Sequence, residues 1–338
     1  MGITLRHVRT GKTVVATAKH PATPSVTLDW NGLVAAGSEA APNGAYTWEA
    51  VAAPLNGIGP AAVADGTFTV TRKGQPHDFN DNGTPDVLTR DSAGRLWRSD
   101  TRFDAGTGAD GQLGAGEAKA LVGGGWNVYD RIEATGNLGG SEVGDLVARD
   151  TSGVLWLYQG NGRGGFATRA KVGGGWQAYD RIAGGSDLTG DGRNDLLATD
   201  RSGVLWLYHG TGDATAPFSA RKKVGGGWGA FNDLTAVGNI GGAAAGDLVA
   251  RDKDGVLWLY LGKGDGTFAP RTRIGAGWGP YTHLVAVGDA DRDGRNDLAA
   301  FSPQGTYLYR GTGSWKAPFL GRQSMGLDRP GSAQQPVV

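Results

Sequence analysis

Three nine-residue stretches concentrate the side chains of this protein that are best suited to chemistry. "DADRDGRND" presents Asp289, Asp291, Asp293 and Asp297; "DFNDNGTPD" presents Asp78, Asn80, Asn82 and Asp86; "DLTGDGRND" presents Asp187, Thr189, Asp191 and Asp195. All follow the pattern D-x-[DN]-x-[DN]-G-x-x-D, the last with a hydroxyl at position 3. Oxygens at alternate positions of a tight loop can converge on one hard cation, joined by the backbone carbonyl of position 7, here Thr84, Arg193 or Arg295. Glycine at position 6 permits the bend. The expected chemistry is Ca2+ binding at about three sites, with the four-carboxylate loop binding best. Mg2+ fits less well, because it holds octahedral geometry and retains water. The alternative is that these are merely Asp-rich turns, and their phase argues against it.

That phase comes from an internal repeat. "GDLVARDTSGVLWLYQG" (144–160), "NDLLATDRSGVLWLYHG" (194–210) and "GDLVARDKDGVLWLYLG" (246–262) align with outer copies "PDVLTRDSAGRLWRSD" (85–100) and "NDLAAFSPQGTYLYRG" (296–311). The Asp opening each copy falls at 86, 145, 195, 247 and 297, and a second motif, "VGGGW" or "IGAGW", places Trp126, Trp176, Trp228 and Trp278 in the same step. The longer first step reflects a Gly-rich insertion, "DAGTGADGQLGAGE". The three acidic loops each end on one of these Asp residues. The two intervening loops, "NLGGSEVGD" (137–145) and "NIGGAAAGD" (239–247), keep the length and the final Asp but lose the other ligands, so they are expected to be metal-free.

Each period contains four short strand-like runs separated by Asp- and Gly-rich turns, the content of one propeller blade. The fold expected is all-β: a five-bladed β-propeller of four-stranded blades over 74–325, with blades at 74–126, 127–176, 177–228, 229–278 and 279–325. Seven blades would need roughly 350 residues at this period. In "VLWLY", Val204, Trp206 and Tyr208 alternate with Leu205 and Leu207, so both faces are apolar, as in a strand held between neighbouring blades. Residues 1–73 lack the repeat, and their alternating strands and Gly, Asn and Pro turns predict a small β-sandwich. Residues 326–338 read as a C-terminal tail.

Composition narrows the partners. Lys+Arg and Asp+Glu are both 33, so there is no basic field for nucleic acid. There is no cysteine, which excludes disulfides and thiolate metal sites. Sixty-one Gly and 11 Trp imply many tight turns and many large anchors. The N-terminus lacks the apolar core of a signal peptide, and no run is long enough to insert in a membrane as a helix.

The order of loop, "DLL" or "DLV" strand and "G-V-L-W-L-Y-x-G" resembles FG-GAP (VCBS-type) repeats, the integrin-α-like propeller family, over residues 75–325. The resemblance implies a secreted, calcium-stabilised, non-catalytic recognition module. The "V-G-G-G-W-x-x-Y/F" element resembles the repeat of tachylectin-type five-bladed lectins, which bind N-acetylated amino sugars between blades. It implies equivalent pockets lined by Trp126 and Tyr129, Trp176 and Tyr179, Trp228 and Phe231, and Trp278 and Tyr281; the competing reading makes these rings blade-to-blade filling. Trp97, Trp156, Trp206 and Trp258, central in their strands, are expected to be core. Trp30 to Gly32 and Pro42 to Trp48 resemble the immunoglobulin-like domain of flagellar hook-capping proteins, which implies a spacer.

No residue argues for catalysis. The non-repeating acids Glu117, Glu133, Glu142, Asp213 and Asp233 form no recognisable pair of the kind a glycosidase needs. The five His are scattered, and no GxSxG elbow occurs. The function expected is carbohydrate binding, to a glycan or a cell-wall or cell-surface polysaccharide. The alternatives are a protein-interaction or targeting module of a larger secreted enzyme or toxin and, less favoured, a five-bladed glycoside hydrolase or lyase.

Overall fold

A computed structural model describes residues 1–17, 29–34, 39–54, 56–104, 112–116, 118–141, 143–243, 245–325, 327 and 334–336. Their regular structure is almost entirely β. Helix occurs among them only as three-residue 3-10 turns at Trp126–Val128, Trp176–Ala178 and Trp228–Ala230. None of the described helices is long and apolar enough to cross a membrane.

Two compact units are present: Met1–Lys73 with Asp81–Gly83, and Gly74–Asn80 with Thr84–Val338. The first holds a four-stranded antiparallel sheet in the order Thr13–Thr17, Gly2–His7, Gly44–Ala52, Ala62–Val70, and a two-stranded ribbon, Leu33–Val34 with Glu39–Ala40. Its core is Val34, Ala41 and the fully buried Tyr46, against which Trp30 and Phe68 pack. Residues 18–28 of the expected sandwich lie outside the described residues. Asp81–Gly83 join this unit because the Asp81 carboxylate accepts hydrogen bonds from the Asn43 backbone N–H (2.7 Å) and from Arg9 (3.1 Å) and Arg72 (2.5 Å).

The second unit repeats a four-stranded antiparallel sheet five times among the described residues. Sheet II runs Tyr129–Gly136, Asp145–Asp150, Leu155–Tyr158, Ala170–Gly173; sheet III runs Tyr179–Ser186, Asp195–Asp200, Leu205–Tyr208, Lys222–Gly225. Sheet IV follows as Phe231–Gly238, Asp247–Asp252, Leu257–Tyr260, Thr272–Gly275, and sheet V as His283–Gly288, Asp297–Ser302, Gly305–Tyr309, Gln323–Ser324. The first strands of sheets II to V pack on one another in succession, a propeller-type repetition. Period-2 alternation builds the core between sheets: Leu197, Leu205 and Leu207 of sheet III meet Trp228, Phe231 and Leu248 of the sheet IV region.

Sheet I departs from the expected boundaries. Its order is Ala120–Gly123, Leu96–Ser99, Val87–Asp91, Gln334–Pro336, so the fourth strand comes from the far end of the chain. The C-terminal segment 326–338 is therefore not simply a tail, since Gln334–Pro336 pairs antiparallel with Thr89–Asp91. Residues 74–86 supply loop rather than strand. The physical reason lies in "GQPHDFNDNGTPD": two prolines and a run of Asn, Asp and Gly cannot sustain a ladder. The vacant edge of Val87–Asp91 is a row of unpaired backbone groups that another segment must cover. The Gly-rich insertion forms a hairpin of Thr101–Asp104 with Gln112–Ala115, and its residues 105–111 lie outside the described set.

Candidate functional site

The Asp that ends each loop is buried and does the same work whether or not the loop is acidic. Asp145 accepts from the backbone N–H of Leu138 (2.9 Å), Gly139 (2.8 Å) and Gly160 (2.8 Å). Asp195 accepts from Leu188, Thr189 and Gly210, Asp247 from Ile240, Gly241 and Gly262, and Asp297 from Ala290 and Gly311. Each carboxylate thus ties the start of its loop to the glycine closing "LWLYxG" or "YLYRG". That glycine is obligatory: a Cβ at Gly210 would lie 2.0 Å from the Asn194 carbonyl oxygen, and one at Gly262 would lie 2.1 Å from that of Gly246. Sheet I lacks the glycine, and Asp86 instead takes the Phe79 N–H (2.8 Å) and the Arg98 guanidinium (2.5 Å). Burial pushes all five carboxyls up.

The three acidic loops differ in how far they gather oxygen. Asp289, Asp291 and Asp297 bring one carboxylate oxygen each within 4.8 Å of the others, the only such group among the described residues. Burial raises Asp297 to about 7, and the neighbouring Asp291 and Asp289 carboxylates add to the rise. An all-oxygen set of three carboxylates, only one of them paired with a cationic side chain, fits a hard divalent cation. Asp293 stands outside this group, accepting from the Arg295 backbone N–H (2.9 Å) and side chain (3.2 Å). Arg310 donates to Asp291 from the other side.

In the 187–195 loop the carboxylates diverge. Asp187 accepts from the backbone of Gly190 (2.7 Å) and Gly192 (2.8 Å), while Asp191 faces His209 (3.0 Å) and the Arg193 N–H (3.0 Å). Thr189 spends its N–H on Asp195. In the 78–86 loop Asp78 and Thr84 are buried, Thr84 donates to the Thr101 carbonyl (2.6 Å), and Asn80 donates to Asp100 (3.1 Å) while its carbonyl oxygen is buried without a partner. Asn82 belongs to the first unit. The geometry thus favours the 289–297 loop over its two sisters.

The Gly-Trp elements build a constellation that recurs four times. Trp126 lies over Tyr158 at 4.7 Å between ring centroids, and Trp176, Trp228 and Trp278 lie over Tyr208, Tyr260 and Tyr309 at 4.6, 4.6 and 4.5 Å. The hydroxyls of Tyr129 and Tyr158 share a hydrogen bond (2.6 Å), as do Tyr179 with Tyr208 (2.7 Å) and Tyr281 with Tyr309 (2.6 Å). Phe231 breaks the pattern in the third copy. These rings are core: the four Trp keep only 5–7% exposure, and Tyr129, Tyr179, Phe231 and Tyr281 only 2–5%. They therefore do not line open pockets with their faces. Their aromatic stacking satisfies the ring faces within the fold.

One atom of each Trp is left over. Among the described residues no hydrogen bond engages Nε1 of Trp126, Trp176, Trp228 or Trp278, yet none of the four nitrogens is fully enclosed. Beside the first three the glycine bends are bare, and the fourth carries Ala276. A Cβ at Gly124, Gly174 or Gly226 would meet nothing within 4 Å, whereas one at Gly123 or Gly225 would approach the indole nitrogen at 3.7 or 4.0 Å. Gly125, Gly175, Gly227 and Gly277 hold left-handed φ of 83–94°, which turns the chain into the Trp.

The second Trp set, expected to be core, is only partly so: Trp156, Trp206 and Trp258 pack against the core clusters from their edge. Trp97, Trp156, Trp206 and Trp258 are half-buried, and their indole N–H groups are spent on Asp91 (2.9 Å), Asp150, Asp200 and Asp252 (2.8 Å each). An exposed arginine caps three of them: Arg169 over Trp156 (4.1 Å), Arg221 over Trp206 (4.1 Å) and Arg271 over Trp258 (4.2 Å), while Arg322 caps Tyr307 (4.5 Å). Alternation explains the difference, since Leu155 and Leu157, or Leu205 and Leu207, take the buried side of the same strand.

Of the non-repeating acids, Glu133 and Asp233 lie on first strands, and Glu117 and Glu142 fall outside the described residues. Glu133 lines a narrow cavity with His77, Gly184, Thr235 and Val285. Burial lifts its carboxyl to about 8 against the single Gly184 N–H it accepts (2.8 Å).

Residues 245–300 match the model of the FG-GAP-like repeat family. No curated protein matches the chain by sequence. Among solved structures, a lectin of Agrocybe aegerita described as recognising non-reducing terminal N-acetylglucosamine is similar at 18% identity and TM-score 0.40, over 96% of this chain and 89% of that one. AofleA from Arthrobotrys oligospora is similar at 11% identity and TM-score 0.39, over 88% and 83% respectively.

Proposed function

We propose that this chain is a secreted, non-catalytic, multivalent carbohydrate-recognition protein: a five-bladed β-propeller following an immunoglobulin-like spacer. The observation that carries the reading is the repeated indole N–H of Trp126, Trp176, Trp228 and Trp278, without a hydrogen-bond partner among the described residues, beside bare glycine backbone in three places and a Gly-Ala-Gly bend in the fourth. A saccharide offers hydroxyl and amide oxygens to such a donor, and its C–H faces pack against a flat backbone without side chains. Buried stacking holds each indole in place before any ligand arrives, which lowers the entropic cost of binding. Ca2+ belongs to the reading as a structural ion, held by Asp289, Asp291 and Asp297, where it would offset their charge and stiffen the loop. Recognition itself is assigned to the Gly-Trp bends.

The test is titration with chito-oligosaccharide, an N-acetylated amino sugar polymer, by calorimetry and intrinsic tryptophan fluorescence. Saturable binding is expected. Gly225→Leu, which places a side chain against the Trp228 nitrogen, should remove one site without altering the far-UV spectrum. Absence of binding across a broad glycan array would overturn the reading.

A further inference from the structure

We infer that the outer edge of sheets II to V carries a second subsite, one that binds the anionic group of an acidic saccharide, a carboxylate or sulfate ester on a sugar ring. This rests on the sugar-binding reading above and adds to it a substrate class. The residue immediately before the outermost strand is the same in four sheets: Arg169, Arg221, Arg271 and Arg322. Each is exposed, and none forms an ion pair with a carboxylate among the described residues. Each is nonetheless fixed. The guanidinium lies over an aromatic ring at 4.1–4.5 Å, and Arg169, Arg221 and Arg322 donate one N–H to the hydroxyl of Tyr129, Tyr179 or Tyr281.

A guanidinium has five N–H donors in a rigid fork matched to planar oxyanions. Stacking and the tyrosine hydroxyl use one face and one donor. The remaining donors stay in water with their direction already set. An arginine placed only to shield the ring would gain by pairing with a carboxylate, yet the nearby acids Asp150, Asp200 and Asp252 are committed to the indole N–H of the ring beneath. In sheet V the equivalent position is Ser302, so even that negative charge is gone.

The surrounding strand strengthens the field. Lys171, Lys223 and Arg273 stand directly across from Trp156, Trp206 and Trp258 and are exposed, so each ring is flanked by two cations on a chain of zero net charge. The tyrosine hydroxyl that Arg169 holds is bonded to Tyr158, the ring on which Trp126 stacks. The cation and the open indole N–H therefore belong to one constellation. An acidic saccharide would satisfy the first with its charged group and the second with an uncharged oxygen. Sheet I replaces the arginine with Lys119, farther from its ring at 5.6 Å, and falls outside the set.

The experiment compares three probes on the intact chain: oligogalacturonate for the carboxylate, dextran sulfate for the sulfate ester, and neutral chito-oligosaccharide. Acidic probes should bind at least about tenfold tighter than neutral ones at low ionic strength. The advantage should vanish between about 0.1 M and about 1 M salt, as the Debye length falls from ~10 to ~3 Å. Replacing the four arginines together (R169Q, R221Q, R271Q, R322Q) should cost acidic binding about tenfold or more, the scale of a lost charge-assisted contact, and cost neutral binding far less, so that the ratio of the two affinities falls. The matching Arg→Lys set should recover only part, because the fork is lost. The salt titration needs no variant, so poor folding of the quadruple substitution does not blunt the test. Neutral binding without any acidic preference, or acidic binding indifferent to the arginines, overturns this inference and leaves the sugar-binding reading standing. Failure of all three probes removes both.

Discussion

Asp247 separates a structural role for the loop-ending aspartates from a metal-ligating one, because its own loop carries no other carboxylate. The side chain is fully buried and accepts three backbone N–H groups, from Ile240 (3.0 Å), Gly241 (2.8 Å) and Gly262 (2.9 Å). Hydrogen bonds to an ionised group contribute about 1.5–3 kcal/mol each, and a buried donor left unpaired costs about 1–3 kcal/mol. Allowing for water that enters the vacated space, Asp247→Ala should lower unfolding free energy by about 4 kcal/mol, a large share of the ~5–15 kcal/mol that holds a domain folded. Asp247→Asn keeps the volume but turns an NH2 toward donors, so about 2–3 kcal/mol should be lost. Urea unfolding measures both, with the slope unchanged if the native fold is retained. The same experiment in chelator should give the same difference. A loss below about 1 kcal/mol, or one that chelator abolishes, would refute the clamp and return these aspartates to metal chemistry.

Chelation should act on a different loop. A cation at 100 times its dissociation constant stabilises the native state by about 2.7 kcal/mol, so EGTA should lower the melting temperature, and the double substitution Asp289→Asn, Asp291→Asn should make the protein indifferent to EGTA; an unchanged melting curve in the unmodified chain counts against calcium. For Glu133, the carboxyl stands at about 8 in the fold against 4.5 for an unperturbed Glu, raised by burial first. Because the folded form holds the proton more tightly, the stability it contributes is full below pH about 4.5 and is lost as pH rises through about 8, by a few kcal/mol at most. Glu133→Gln should flatten that decline and raise the urea midpoint at pH 8; a parallel pH profile in the variant would show that Glu133 is not the group responsible.

The repeat makes the sheets legible in the sequence, since strand content follows from a period that one alignment exposes, although it does not say which face of "VLWLY" is the more enclosed. Two things were hidden. The last strand of sheet I is Gln334–Pro336, too short and too polar to announce itself, and the need for it appears only when Val87–Asp91 is seen with an open edge. The acidic loops were recognisable as loops, but their ligand sets were not separable by pattern. Asp187 satisfies D-x-x-x-D as well as Asp289 does, and both carboxylates accept N–H groups of their own loop, yet only Asp289 also comes together with two further carboxylates, those of Asp291 and Asp297. The final Asp misled for a related reason. Backbone N–H groups leave no trace in residue type, so a clamp and a ligand look alike in letters.

The two tryptophan sets show where residue type is insufficient even when position is known. Both occur once per repeat, and a central strand position argues for burial. In the structure burial is decided by what alternates with the ring: Leu155 and Leu157 hold the enclosed face, so Trp156 is displaced toward solvent and needs Asp150 for its N–H and Arg169 for its face. Trp126, entering from a glycine bend, slides onto Tyr158 instead and is enclosed by it. The buried ring is thus the one whose N–H has no partner among the described residues, and the half-buried ring is the one whose donor is spent. Recognition chemistry follows the free polar atoms rather than the exposed aromatic area. On the proposed reading it therefore falls to the Trp126 class for a neutral sugar oxygen, and to the arginine above Trp156, not to Trp156 itself, for a charge.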